Sequence, residues 1–165
     1  MTESPLRLRE LLGRLIEAEI RFVLVGGLAV NAWGYMRGTR DVDLVPDPDR
    51  ENLAKLDTLL RELEGKVDVG GQLLHTDAIT TFLRTGDRTL VRTALGEVDV
   101  LQGLPQVPPY AQLAEKATEI DMDGLVVRVC SREHLLEMKR AGNRHRDKDD
   151  LEALEGTQDP EQERD

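Results

Sequence analysis

Asp41 and Asp43 are the first residues in the chain spaced for metal chemistry. They stand one residue apart in the run Asp41-Val42-Asp43-Leu44. In a strand both carboxylates point to one face, and Val42 and Leu44 point to the other. Two carboxylates held side by side repel each other unless a cation sits between them. Upstream, the apolar run Phe22 to Val25 ends in Gly26-Gly27. Glycines at a strand end let backbone N–H groups approach a phosphate closely, at the start of a helix that favours anions. A third acid, Asp99, lies in the alternating run Glu97-Val98-Asp99-Val100-Leu101. If that strand pairs beside Asp41 and Asp43, three acids share one sheet face and offer oxygen ligands to two hard divalent cations. The chemistry such a site allows is in-line displacement at the α-phosphate of a nucleoside triphosphate. Asp99 is placed to ligate the acceptor-side metal and to act as general base. Glu97 shares its face and reads as a solvated neighbour.

The elements that must hold these residues follow from periodicity. Leu8, Leu11, Leu12, Leu15 and Ile16 predict an amphipathic helix over about 6–18. A strand over 21–25 follows, then a short helix carrying Ala29, Val30, Ala32 and Trp33 and ended by Gly34, then a strand over 41–45. Asp47-Pro48-Asp49 supplies an N-cap and a first-turn proline for a long leucine-faced helix stopped by Gly65. The stretch 67–80 has no clear pattern apart from a turn at Gly70-Gly71. Ile79 to Leu83 and Thr89 to Thr93 are predicted as strands around a Gly86-Asp87 turn. A proline-rich linker, a helix over 110–117 and a strand over 125–130 come next. Ser131 then caps a helix through about Ala141, and a short helix runs from Asp147 to Leu154. Residues 1–154 are expected to form one domain, with 155–165 a disordered acidic tail.

Composition limits the function classes. The net charge of −10 argues against a broad nucleic-acid-binding face but leaves room for a local basic pocket. Aromatics make up only 3% of the chain, so the core must be aliphatic. The single cysteine, Cys130, rules out an internal disulfide and reads as a buried inert thiol. No apolar run reaches membrane-spanning length and no signal-peptide core is visible, so the expected location is the cytoplasm, with no membrane partner. His75, His134 and His145 have no partners at metal-ligand spacing and are expected at the surface.

Gly26-Gly27, a helix, Asp41-x-Asp43 and the distant Asp99 resemble the nucleotidyltransferase superfamily of DNA polymerase beta. The version VGGLAVNAWGYMRGTRDVDL, with the later SREHLLEMKRAGNRHRDKDD, is most similar to small bacterial proteins around the AbiEii-type toxin nucleotidyltransferases. The resemblance implies an α+β (α/β) nucleotidyltransferase fold, with a mixed central sheet flanked by helices. It places Gly26 and Gly27 at the triphosphate, and Asp41, Asp43 and Asp99 on two Mg²⁺ ions, with Mn²⁺ as a substitute. Arg37 and Lys139 are the candidate cations for the nucleotide. Arg40 neighbours Asp41 and is expected on the opposite face. The implied activity is transfer of a nucleoside monophosphate to a hydroxyl of a protein, tRNA or small molecule, releasing pyrophosphate; a toxin–antitoxin partner is a further implication. The competing reading keeps the fold as a non-catalytic nucleotide- and metal-binding module or scaffold. Asp41-Val42-Asp43-Leu44-Val45 also fits the nucleophile box of haloacid-dehalogenase-like phosphatases. That reading leaves Gly26-Gly27 unexplained and needs an apolar strand where 37–40 is polar. Asp-x-Asp glycosyltransferases fail on length. The run KRAGNRHRDKDD is most simply a solvated helix end.

Overall fold

The structure, a computed structural model, describes residues 3–35, 38–142 and 145–156. A mixed sheet forms its centre. In chain order its strands are Phe22–Val25 (β1), Asp41–Pro46 (β2), Lys66–Val69 (β3), Gln72–Leu73 (β4), Asp87–Thr93 (β5), Gly96–Gln102 (β6), Thr118–Met122 (β7) and Leu125–Val129 (β8). Their spatial order is β4-β3-β5-β6-β2-β1-β8-β7. The β2–β6 and β1–β8 pairs are parallel, and the other pairs are antiparallel. The helices are Glu3–Glu17 (α1), Gly26–Ala32 (α2), Arg50–Glu62 (α3), Ala78–Thr85 (α4), Tyr110–Lys116 (α5), Arg132–Ala141 (α6) and His145–Glu155 (α7).

This is the mixed α/β architecture expected from the sequence, and the alternation in the central strands shows why. Val42 and Leu44 of β2 and Val98 and Val100 of β6 are fully buried beneath α1, whose Leu8, Leu11, Leu12 and Leu15 cover them. The opposite phase of the same strands carries the acids. A slip of one residue would bury the carboxylates and expose the valines, so burial on one face fixes the register.

Four expectations about elements need correction. Ile79 to Leu83 is helical, as part of α4. Its β-branched residues suggested a strand, but Ile79 and Leu83, one helical turn apart, are both buried. Thr80 is tied to α3 instead of a sheet neighbour: its hydroxyl donates to Asp57 at 2.8 Å and accepts from Arg61 at 2.6 Å. Tertiary contacts have overridden local preference. The patternless stretch supplies β3 and β4. The half-exposed strand β7, unread in the sequence, pairs with β8 around Asp123-Gly124. Finally, α3 starts at Arg50, so Pro48 precedes the cap and Asp49 makes no side-chain cap bond. Asp47 and Asp49 instead hold Arg21. At the other end of α3, Glu64 takes the left-handed conformation. Gly65 is needed for a different reason: a Cβ there would lie 2.7 Å from the Leu60 carbonyl and 2.8 Å from Val91.

Candidate active site

Parallel pairing of β2 with β6 sets Asp41 opposite Glu97 and Asp43 opposite Asp99. One oxygen from each of Asp41, Asp43 and Asp99 lies within 4.8 Å of the other two. Glu97 shares this face of β6 but is paired with Arg92 and is not one of the trio. The glycine corner is built into the same place. Val25 is the register partner of Asp43, so α2 begins directly beside that carboxylate. Gly26 has φ +69°, and a Cβ on it would come within 1.9 Å of Asp43 Oδ2. Only glycine fits both the conformation and the space.

The electrostatics are those of a cation site. Burial, a hydrogen bond shared with Asp41 and the charges of Asp41 and Asp99 push Asp43 up to about 8, with Lys139 opposing them. Three hard oxygen donors this close together, with Asp43 reluctant to ionise beside the other two, fit a divalent cation of the Mg²⁺ type.

Two cations, Arg88 and Lys139, and a further carboxylate, Asp147, complete the cleft, whose volume is about 440 Å³. Arg88 of β5 donates through Nε to both oxygens of Asp99, at 3.0 and 2.9 Å. Nothing in the sequence flagged Arg88. Its strand was legible, but the register that sets it diagonally across from Asp99 was not. Lys139 lines the cleft as expected, but it is buried, with Nζ 3.3 Å from Asp147 and 2.9 Å from Asp150 of α7. The segment read as a solvated helix end therefore contributes a buried ion cluster between α6 and α7. The alternating charges of that run hid which of them turn inward.

The other singled-out residues separate cleanly. Arg37 and the tail beyond Gly156 lie outside the described residues, as does the side chain of His145. Arg40 is exposed and does not line the cleft. Cys130 is buried, with its thiol pushed up to about 12 by that burial. Trp33 packs against the core and donates its indole N–H to the Cys130 carbonyl at 3.0 Å. His75 is exposed beside Asp77. His134 departs from expectation: it is half-buried on α6, with Nδ1 shut away from solvent. A larger hollow between α3 and α4 lies apart from the acidic trio.

Comparison with known proteins points the same way as the geometry. A family model described as "Nucleotidyl transferase of unknown function (DUF2204)" matches residues 5–163. No curated protein sequence matches the chain. Three solved structures share the fold. The lincomycin-bound lincosamide antibiotic adenylyltransferase LnuA aligns at 17% identity and TM-score 0.66, over 91% of this chain and 95% of its own. ANT(2'')-Ia in complex with adenylyl-2''-tobramycin aligns at 16% identity and TM-score 0.58, over 93% and 88%. An antigenic nucleotidyltransferase-like protein from Paracoccidioides brasiliensis aligns at 25% identity and TM-score 0.56, over 87% and 71%.

Proposed function

The chain belongs to the nucleotidyl transferase family of unknown function DUF2204, and from that premise we propose that it transfers a nucleoside monophosphate from a nucleoside triphosphate to a hydroxyl acceptor, releasing pyrophosphate. The observation that carries this reading is the convergence of Asp41, Asp43 and Asp99, from two strands, beside the Gly26 corner. Asp41, Asp43 and Asp99 would hold Mg²⁺, with two ions as the working number. A divalent ion bound there supplies Lewis-acid activation of the acceptor hydroxyl and neutralises charge on the phosphates.

The chain's own groups do the rest. Gly26 and Gly27 line the cleft beside Asp43, and lacking side chains of their own they would let a triphosphate come close to the backbone. Asp99 is the group to receive the acceptor's proton. Arg88 holds both oxygens of Asp99 and so orients it, and Lys139, the candidate cation for the nucleotide, stands on the cleft wall beside Asp147. LnuA is an adenylyltransferase and ANT(2'')-Ia has been seen in complex with adenylyl-2''-tobramycin, which supports reading the transferred group as a nucleoside monophosphate.

The test is incorporation of label from α-labelled nucleotides, supplied with Mg²⁺ or Mn²⁺, into cell extract. Asp43→Ala and Asp99→Ala are each expected to reduce incorporation by about a thousandfold or more while circular dichroism shows a folded protein. Full turnover in both variants would remove the assignment. Nucleotide and metal binding without any incorporation would favour the non-catalytic module.

A further inference from the structure

The acidic cleft continues past its carboxylates. Its wall beyond Asp99 is loop 103–109, which leaves the end of β6 and leads into α5. The same loop, with Gln112 of α5 and Glu137 and Ala141 of α6, encloses a second hollow of about 580 Å³. Leu104, Gln106, Val107 and Ala141 line both spaces. The two spaces therefore adjoin along loop 103–109 and α6. We propose that they join as one groove, that the outer hollow is the acceptor subsite, and that it takes a small hydroxyl-bearing molecule with an apolar flank and no net negative charge. The proposal rests on the nucleotidyl-transfer reading above.

Position argues for the role. In-line displacement needs the acceptor and the leaving group on opposite sides of the α-phosphorus. Gly26 and Gly27 line the cleft from the end of β1, and Leu104, Gln106 and Val107 line it from the loop that follows β6. With the triphosphate at Gly26 and Gly27, an acceptor held in the outer hollow comes in from the loop side of the cleft. There an acceptor O–H attacks the α-phosphorus. The new O–P bond forms as the bond from phosphorus to pyrophosphate breaks, the proton passes to Asp99, and the product is a phosphodiester on the acceptor oxygen.

The chemistry of the walls argues for the class. Leu104, Val107 and three prolines give the hollow an apolar surface, with the amides of Gln106 and Gln112 and the carboxylate of Glu137 as its polar side chains. Among the described residues lining it there is no Lys, Arg or His. A polyanion would meet Glu137 with no cation to offset it, in a chain already at −10. Prolines keep the wall stiff, and the volume is that of a small-molecule site.

The experiment uses the full chain, labelled with ¹⁵N, and two probes. Octyl glucoside below its micelle concentration is a neutral polyhydroxylated molecule with an apolar flank. A non-hydrolysable α,β-methylene nucleotide with Mg²⁺ reports on the cleft separately. The glucoside is expected to shift the amides of Leu104, Gln106 and Gln112. Gln112→Trp, at an exposed position that lines only the hollow, should weaken glucoside binding about tenfold or more and leave nucleotide affinity unchanged. The amide spectrum also shows whether that variant is folded. Glucoside shifts scattered away from the loop, or an affinity indifferent to Gln112→Trp, would overturn the proposal. So would label from an α-labelled nucleotide appearing in RNA or protein and not in the small-molecule fraction of an extract. A nucleotide probe that leaves Gly26 and Gly27 unshifted would count against the transfer reading instead, with the glucoside arm still judging the hollow.

Discussion

Asp43 has to ionise between two other carboxylates and against the Gly26 corner, and this makes it the residue most sensitive to pH. Its folded-state value, near 8, lies far above the ordinary carboxylate value. Between about pH 4 and pH 8 the folded protein therefore holds a proton that the unfolded chain has lost. Without metal, stability should fall as pH rises through that window and level off above it. Asp43→Asn removes the penalty. In chelator at pH 8 the variant is expected to be more stable than the parent by about 1–3 kcal/mol, with the difference vanishing near pH 4. Thermal melts across that range check both the sign and the window; a less stable variant at pH 8 would contradict the electrostatic account. The identities and spacing of Asp41, Asp43 and Asp99 were enough to find this trio from the sequence. Arg88 was not findable that way, because an arginine on an alternating strand looks the same whether it meets solvent or a carboxylate.

Among the elements, α6 and α7 depend on one another through charge. Lys139 on α6 is enclosed with Asp147 and Asp150 of α7, and all three are buried. Lys139→Met is expected to cost about 3–5 kcal/mol, because two buried carboxylates lose a buried cation that both touch. Urea denaturation measures that loss. Lys139→Met combined with Asp147→Asn and Asp150→Asn should recover part of it. A single variant as stable as the parent would show the cluster to be wet and weak. The helices here were legible as helices, but their relation was not. Leu135 and Leu136 are buried, as their apolar side chains favour, whereas nothing in a run of alternating charges marks which ones face a neighbour. The α4 misreading has the same origin. Ile79 and Thr80 favour a strand locally, and burial of Ile79 with Leu83 together with the Asp57–Arg61 pair on α3 decides otherwise.

For the whole molecule, bound metal should act as a structural ligand as well as a reagent. It would cancel repulsion at the trio in a chain of net charge −10. At a hundred times its dissociation constant, Mg²⁺ is expected to stabilise the parent by about 2.7 kcal/mol. Asp99→Asn should show much less protection. Differential scanning fluorimetry with and without chelator compares them, and equal protection in both proteins would place the ion elsewhere.

The parallel pairing of β2 with β6 also bears on how the chain reaches its native state. Two helices and three strands intervene between those partners, so their union closes a long loop, which is slow to form. No local hairpin can assemble the carboxylate trio ahead of that closure. Capacity for divalent ions should therefore emerge during refolding in the slowest phase, with no early burst, as stopped-flow Mn²⁺ uptake can show. A nascent or partly unravelled copy would then carry no competent centre, and activity would be confined to chains that have completed the sheet.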